Sequence, residues 1–368
     1  MSKAAELAKW GEVSTNGQVS GRRNIVINGA MQVAQRSASV TGLGGGSDSY
    51  PTCDRFAVSQ TATAGRYTMT QTADGPSGFA NCIKLDCTTA DTSIAASEFF
   101  LLRQRIEGQN LQMFAKGTSD AKQYSLSFYV KGNANATYVA ELMDNDNSNR
   151  HVSKTFAVTT SWNRIEMLFP ADTTGAFDDD NGASLDLNIW LHSGSDRTSG
   201  TLQQTWGALA QTNRAVGISS FFSSTDNNFF ITGVQMEVGS VATPFEHRSF
   251  GEELALCQRY YHHWSAVDGS NTFKPLWVGG LAKSATRADF FIPAPVVMRA
   301  APTLTASADL FQIGDGTVGN VTSAMGQAGL TKEGVVAKAT TTGLTVGRCV
   351  NIYADDNNTA YIEFDAEL

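Results

Sequence analysis

The sequence predicts an all-β protein, in which a β-sandwich is followed by a short helix and a smaller C-terminal β domain. Charged residues make up only 17% of the 368 residues, and Gly, Ser, Thr, Asn and Gln are abundant instead. That mixture is typical of strands with one exposed face and of the turns between them. Segments that alternate apolar and polar residues also recur between clusters of Gly, Asp and Asn. The chain is long enough for two domains.

Residues 1–21 are predicted to be an N-terminal anchor and tether. The first ten residues suit about two helical turns, and an isolated helix of that length is marginal in water. Residues 11–21 are rich in Gly, Ser, Thr and Asn, as flexible linkers are. We therefore expect the first turns to dock on another protein. The side chains predicted to do so are Ala4, Leu7, Ala8 and Trp10.

Residues 22–249 are predicted to form the sandwich. The strand signals lie at 124–130, 138–142, 164–169, 185–191 and 229–238. In one of them, Leu185, Leu187, Ile189 and Leu191 alternate with Asp186, Asn188 and Trp190. This period of two indicates a strand with one face in a core. The last signal places Phe230, Val234, Met236 and Val238 on one face in the same way.

A connecting helix is predicted at residues 250–264. Ser249 and Glu252 form the S-x-x-E pattern of a capping box, which satisfies amide groups of the first helical turn. Apolar residues then lie along two stripes of the helix, so that both sides favour burial. One side can pack on the same chain and the other suggests a second subunit. The predicted interface residues are Leu254, Leu256, Cys257, Tyr260 and Tyr261.

Residues 265–368 are predicted to be a C-terminal β domain. Strand signals lie at 286–292, 303–305 and 344–346, and a last hairpin is predicted from 350–354 and 359–364 around the turn 355–358. Pro293, Pro295 and Pro302 interrupt this region, since proline lacks the amide that a central strand requires.

The net charge of -8 argues against nucleic acid as a partner, because binding to phosphates needs clustered Lys and Arg. No apolar run approaches the length of a membrane span, so membrane insertion is not predicted. The five cysteines include no C-x-x-C pair and cannot all form disulfides with one another. We expect them to be reduced core residues of a chain made in a cytoplasm.

An enzyme is not predicted, because the sequence holds no G-x-S-x-G, G-x-x-x-x-G-K-[ST] or H-E-x-x-H motif. His262 and His263 point to opposite faces if they lie on a strand, which favours one packed and one solvated histidine over a metal site. No cofactor is expected, with one alternative left open. Asp144 and Asp146 resemble the first ligands of a calcium loop, although later positions do not fit an EF-hand, and a calcium site assembled from separate loops remains an alternative.

The polar face of the strand at 185–191 suggests sugar binding. Sugars stack their C–H faces on exposed aromatic rings and bind Asp and Asn through hydroxyls, so Asp186, Asn188 and Trp190 are the predicted glycan-binding residues. The alternative is that Trp190 lies beneath a crossing loop. Trp162, Trp206 and Trp264 are expected in the core, where most large aromatic residues lie.

Several phrases of the sequence resemble tail-fibre and related virion structural proteins of bacteriophages, especially marine podovirus-like phages. Residues 22–36 (RRNIVINGAMQVAQR) and 53–56 (CDRF) are similar to the opening phrases of that family. Residues 231–261, from ITGVQMEVGS to QRYY, are similar to the segment that ends its first domain. The resemblance spans about two-thirds of the chain, from Arg22 to Trp264.

The resemblance implies a carbohydrate-binding-module-like jelly roll, assembly as a homotrimer and a place in the virion. It implies no catalytic residues, because the shared phrases look like scaffold. The predicted function is that of a tail-fibre-like adhesin, made in the host bacterial cytoplasm, attached to other virion proteins by its N-terminus and binding host-surface polysaccharide. In this hypothesis the C-terminal domain is the trimeric tip. The alternative is a purely structural virion protein, such as a head fibre, decoration or adaptor protein, and a glycan depolymerase is a third class.

Overall fold

The computed structural model describes residue 3 and residues 22–46, 48–266, 275–307, 311–314, 319–322, 324–354 and 359–368. The chain divides into two compact units, Met1–Glu253 and Leu254–Leu368. The predicted anchor residues Ala4, Leu7, Ala8 and Trp10, the tether at 11–21 and the turn at 355–358 lie outside the described residues.

Two antiparallel sheets form the first unit. Sheet A has the strand order β1 (Ser39–Leu43), β3 (Arg66–Thr72), β4 (Cys82–Thr89), β11 (Asn228–Val238), β6 (Tyr124–Gly132) and β9 (Asn163–Phe169). Sheet B has the order β2 (Ala57–Thr61), β5 (Phe99–Glu107), β10 (Ala183–Ser193), β7 (Ala136–Asp144) and β8 (Arg150–Val158). The chain crosses repeatedly from one sheet to the other, as in a jelly roll. The predicted all-β fold is confirmed, and all five strand signals of the sandwich are strands.

Helices are short in the described part of the chain. The α-helices are α1 (Ser195–Thr198) and α2 (Phe250–Gln258), and single 3-10 turns lie at Gly108–Asn110, Gln112–Phe114, Gln211–Asn213 and Phe221–Ser223. Ser249 caps α2, because its Oγ accepts a hydrogen bond from the Glu252 amide at 3.3 Å. The carboxylate of Glu252 lies 3.1 Å from Arg22.

The sandwich core lies between sheets A and B. It is made of the residues that the alternation of β10 predicts, Leu185, Leu187, Ile189 and Leu191, together with apolar side chains from the other strands. Many of these are aromatic and fully buried. They include Tyr67, Phe100, Tyr124, Phe128, Phe169, Phe221 and Phe222.

Strand β11 does not keep the face that its sequence predicts. Its pairing with β6 shifts between Thr232 and Gln235, and Gly233 in this bulge has a φ of 61°. Val234 and Met236 consequently lie in the core, whereas Phe230 contacts Lys84 and Lys131 with its ring. A bulge adds one residue to one strand, so the alternation changes face across it.

The opening and closing phrases of the first unit lie side by side. The side-chain amide of Asn24 donates to the Val234 carbonyl at 3.1 Å, and its oxygen accepts from the Met236 amide at 3.1 Å. The Val234 amide donates to the Gly29 carbonyl at 2.9 Å. The buried Asn28 side chain and the Arg55 guanidinium also form hydrogen bonds with main-chain groups. These polar residues of the phrases are therefore scaffold.

The second unit also contains two antiparallel sheets. Sheet C has the order β12 (Tyr261–Ser265), β21 (Tyr361–Asp365) and β15 (Thr303–Ala306). Sheet D has the order β17 (Gly319–Val321), β16 (Phe311–Gly314), β20 (Cys349–Ala354), β13 (Pro275–Ser284), β14 (Arg287–Pro293), β19 (Gly334–Thr340) and β18 (Ala324–Thr331). Their shared core includes Phe290, Phe311, Val335, Ile352 and Phe364. A smaller C-terminal β domain is thus confirmed.

Three local predictions differ from the structure. The connecting helix predicted at 250–264 ends at Gln258, because residues 261–265 pair with β21. Strands β20 and β21 do not form a hairpin, since they belong to different sheets. Residues 344–346 form no strand and precede β20 in a turn. In the first two cases pairing between distant segments outweighs the local pattern.

The predicted oligomer interface is partly covered within the chain itself. Cys257, Tyr260 and Tyr261 are buried in the single chain, and only Leu254 and Leu256 keep half-exposed side chains. The trimer therefore stays a prediction, with a smaller apolar surface than expected. Of the cysteines, all free, Cys349 is exposed, which the core assignment did not foresee.

The described helices are all too short or too polar to cross a membrane.

Candidate binding surfaces

The outer face of sheet B is covered by residues 194–219, which we call the strap. The strap extends the sheet beyond β8, since the His151 amide donates to the Gly207 carbonyl at 2.9 Å and the Ser153 amide to the Gln203 carbonyl at 2.6 Å. Its apolar side chains pack on the strands below. This small cluster consists of Leu101, Val139, Trp190 and Ala215, with Phe99, Leu202 and Ile218 beside it.

Arg214 of the strap forms a buried ion pair with Glu141 of β7. Its Nε and Nη2 lie 2.8 and 2.7 Å from the two carboxylate oxygens. Asn188 and Trp190 donate to the same carboxylate, at 3.0 and 2.9 Å, and His151 Nδ1 lies 3.2 Å away. Burial alone would raise the pKa of Glu141, but the Arg214 charge and these hydrogen bonds lower it to about 2. The carboxylate therefore stays ionised beneath the strap.

The predicted glycan-binding residues all lie under this cover. Asp186, Asn188 and Trp190 are at most 1% exposed. The Arg214 guanidinium lies 4.7 Å above the Trp190 ring, where a sugar would have to stack. Asp186 faces Arg103, and burial raises the pKa of its carboxyl. Strand β10 therefore does not present the open sugar-binding face that its alternation predicts. Trp190 instead lies beneath a crossing segment, which was the alternative.

The remaining predicted core tryptophans are only partly buried. Trp162, Trp206 and Trp264 are each half-exposed. Trp162 lies against Lys131 and Phe230 on the outer face of sheet A, and Trp206 donates to the Pro170 carbonyl at 2.8 Å. Burial of aromatic residues is a tendency of the residue type, and the sequence alone does not show which ring the strap covers.

Asp144, one of the two predicted calcium ligands, forms an ion pair with a lysine. The ammonium of Lys116, fully buried, lies 2.5 Å from Asp144 Oδ2 and 3.3 Å from Asp172 Oδ2. It also donates to the carbonyls of Thr174 and Gly175 at 2.8 and 2.7 Å. Two carboxylates and two carbonyls are ligands that a hard cation prefers, and here they surround a cation that belongs to the chain.

The second predicted ligand, Asp146, points elsewhere. Its Oδ2 accepts a hydrogen bond from the Asp178 amide at 3.0 Å, so it supports the loop after β9. Within the described ranges, no group of three or more His, Cys, Asp or Glu side chains has the geometry to hold a metal ion. The calcium alternative therefore lacks the convergence of Asp144 and Asp146 that it needs.

A partly accessible aromatic and polar surface, in which Tyr261 is buried, lies on sheet C of the second unit. We call it the Tyr–His face. It consists of the side chains that the pairing of the three strands places on one side: Tyr261, His263, Ser265, Thr303, Thr305, Tyr361, Glu363 and Asp365. His262 and His263 lie on opposite faces, as expected for strand neighbours. The opposite side of the sheet carries apolar residues of the core, including Ile362 and Phe364.

Three rings of this face stack along the sheet. His263 lies 5.7 Å from Tyr361 at an angle of 16° and 6.5 Å from Tyr261 at 25°. Glu363 orders the stack, because its Oε1 accepts from the Tyr261 hydroxyl at 2.6 Å and lies 3.3 Å from His263 Nδ1. Tyr361 and His263 are half-exposed.

Exposed hydroxyls flank this stack. Thr305 is paired opposite Glu363 and Thr303 opposite Asp365, and both threonines are exposed. Aromatic rings beside a carboxylate and hydroxyls match the apolar faces and hydroxyl groups of a sugar. The alternation of residues 361–365 could have indicated this face. Its partners depend on pairing over about a hundred residues for β12 and about sixty residues for β15, which the sequence does not display.

No protein-family model matches the chain, and no curated protein matches its sequence. Solved structures to which it is similar include a family 22 carbohydrate-binding module of Clostridium thermocellum Xyn10B, with 11% identity, 52% of this chain and 89% of that chain covered and a TM-score of 0.28. A second is the xylan-binding domain CBM22-1 of Paenibacillus barcinonensis Xyn10C, with 11% identity, 60% and 100% coverage and a TM-score of 0.29.

A third similar structure is the enzymatically active domain of tailspike protein 4 of bacteriophage CBA120. Identity is 13%, the TM-score is 0.29, and the match covers 58% of this chain and 21% of that chain.

Proposed function

We propose that this chain is a non-enzymatic virion fibre protein, a trimeric adhesin that is mounted through residues 1–21 and binds host-surface polysaccharide with its second unit. The observation that carries the glycan-binding part is the Tyr–His face. The β-sandwich of the first unit then serves as a rigid scaffold. The phrases at 22–36 and 231–261 support the assignment to a virion.

The Tyr–His face suits weak binding to a repeated ligand. One ring stack and a few hydroxyls offer a small contact, so a single site is expected to bind weakly. Three copies that engage one polysaccharide raise the overall affinity about a hundredfold or more without a new contact. Trimer assembly and weak single sites are thus compatible parts of one proposal.

The test is binding of the full chain to an array of bacterial surface polysaccharides. Positive polysaccharides are then used to compete for binding of the labelled protein to cells that carry them. We expect saturable binding that Tyr361→Ala weakens about tenfold, because the ring that would stack on the sugar is removed. Glu363→Gln tests the polar part of the face.

The matched control is Phe291→Ala, which removes an exposed ring from sheet D instead. It is expected to bind like the unchanged protein. Equal loss in both variants would assign the effect to general destabilisation, and full binding by Tyr361→Ala would exclude the Tyr–His face.

The closed outer face of sheet B favours a second candidate, a purely structural virion protein such as a head fibre or adaptor. In that case the strap closes the outer face of sheet B, and the sandwich packs against other virion proteins instead of binding a ligand there. No binding to any polysaccharide or cell at tens of micromolar would favour this candidate, and copurification with another virion protein through residues 1–21 would support it.

A further inference from the structure

An apolar crevice of about 290 Å³ opens between sheets C and D of the second unit. Its lining residues are His262, Trp264, Val278, Ile292, Pro293, Ile362 and Phe364. Ile292, Ile362 and Phe364 form the buried floor, whereas Val278 and Trp264 are half-exposed and Pro293 is exposed. The crevice lies on the side of sheet C opposite the Tyr–His face.

The size of the crevice suits one small molecule. A dry engineered cavity of about 150 Å³ lined by aliphatic and aromatic residues already holds benzene. A volume of about 290 Å³ therefore leaves room for one ring with a substituent. Among the described residues, the lining carries no Lys, Arg, Asp or Glu side chain, so a charged ligand would lose its hydration without a partner there.

His262 adds a polar ring to this lining. The side-chain amide of Gln258 lies 3.4 Å from His262 Nδ1. With the Gln258 amide nitrogen assigned as the donor, Nδ1 accepts and the ring proton lies on Nε2. Burial, and to a lesser extent the neighbouring His263, lower the pKa of His262 to about 4, so the ring is neutral at pH 7. The tautomer follows from the hydrogen-bond network.

We infer that the crevice is a binding site for a small uncharged molecule of ring size that carries one hydrogen-bond acceptor, such as an aromatic ketone or ester. The apolar lining takes the ring, and the His262 N–H donates to the carbonyl oxygen. This inference goes beyond the proposed function, because it concerns the other side of sheet C and a ligand that is not a sugar.

The test uses acetophenone as the probe and ethylbenzene as its match in shape without the acceptor. Binding of each to the full chain is followed by ligand-observed NMR. We expect acetophenone to bind about fivefold more tightly, the effect of one hydrogen bond. His262→Phe should remove this preference and leave ethylbenzene binding within about twofold of its original value.

Val278→Trp, which fills the crevice from its half-exposed edge, should weaken both probes at least about tenfold. Phe291→Ala, on the outer face of sheet D, should change neither. Thermal unfolding of each variant shows whether it is folded. If Val278→Trp does not fold, the ratio of the two affinities in His262→Phe decides the question alone.

Two kinds of result would overturn the inference, one from the probes and one from the protein concentration. One is the absence of acetophenone binding to the folded protein at millimolar concentration, or an unchanged preference for the ketone in His262→Phe. The other is probe binding that disappears as the protein concentration rises, which would mean that a second copy of the chain fills the crevice. Failure of polysaccharide binding would leave this site unaffected, so the two proposals can fail separately.

Discussion

At the scale of the single residue, Lys116 supplies a buried cation from the chain itself. Its ammonium lies among Asp144, Asp172 and two carbonyls, and the rings of Phe177 and Trp206 lie 5.1 and 5.7 Å away. Burial would raise the pKa of Asp172, but hydrogen bonds from Arg150 and the Lys116 charge lower it. Removing the lysine leaves the buried carboxylate of Asp144 without its cation, whereas Asp172 keeps Arg150.

We therefore expect Lys116→Met to lower the free energy of unfolding by about 3 kcal/mol or more. Lys122→Met, at an exposed lysine six residues later, is the matched control and should change it by about 0.5 kcal/mol at most. Urea unfolding at pH 7 measures both. Similar values for the two variants would contradict the structural role of the Lys116 ammonium.

His192 of β10 makes the stability of the protein depend on pH. Its Nδ1 lies 2.9 Å from the Ser220 hydroxyl, its ring edge packs on Phe222, and burial lowers the pKa to about 4. The unfolded chain takes up this proton at a pH of about 6.5. The contribution of His192 is therefore fully present above about pH 6.5 and is lost as the pH falls towards 4.

The expected loss from His192 is about 2 kcal/mol between pH 7 and pH 5. His192→Gln cannot take up the proton and should show a flatter profile over that interval, whatever its stability at pH 7. Unfolding free energies at several pH values measure the slope. An equal slope in the variant would place the acid sensitivity elsewhere.

At the scale of the element, the contact between residues 24–29 and β11 fixes the entry of the chain. A Cβ on Gly29 would lie 2.1 Å from the Val234 carbonyl oxygen, closer than atoms can approach. This close approach allows the Val234 amide to donate to Gly29 and the Asn24 side chain to reach both Val234 and Met236. Only glycine fits at this point of the opening phrase.

Gly29→Ala should consequently lower the melting temperature clearly, with a cost of about 2 kcal/mol. Gly251→Ala in helix α2 is the control, because nothing lies within 4 Å of its added Cβ. That change should be neutral or stabilise the helix by up to about 1 kcal/mol. Differential scanning calorimetry compares them, and a neutral Gly29→Ala would show that β11 can move away.

The elements also show how far sequence reasoning reaches. Period-two alternation predicted β10 and its core face correctly, because burial of one face is written into every second residue. It failed at β11, where the bulge at Gly233 changes the face, and at the supposed last hairpin, where β20 and β21 pair with distant strands. It did not show the strap, whose Arg214 covers Trp190 from more than twenty residues away.

At the scale of the whole molecule, the two sandwiches have separate cores, and the boundary falls within helix α2. The half-exposed Leu254 and Leu256 begin the second unit. In the proposed trimer Leu254 and Leu256 supply part of the shared surface. Cys257, Tyr260 and Tyr261 are not available for it, because they are already buried within one chain. The sequence could not separate these two uses, because an apolar stripe fits a core and an interface equally well.

We expect light scattering at micromolar concentration to give three times the mass of one chain. The double variant Leu254→Glu, Leu256→Glu should reduce the mass to that of a monomer while circular dichroism keeps its β signal, because charges on an apolar contact oppose association. A monomeric unchanged protein would contradict the trimer, and a trimeric double variant would place the contact in another part of the chain.

The adjacent ends of the first unit have a mechanical consequence. Residues 23 and 24 donate their amides to Glu246, and Arg248 reaches the Val26 carbonyl, so the chain enters and leaves this sandwich at one place. Tension applied between the N-terminus and the second unit would therefore pass through this short set of bonds and bypass the strands of both sheets. In a fibre under load, the sheets of the first unit would therefore carry little of the pull.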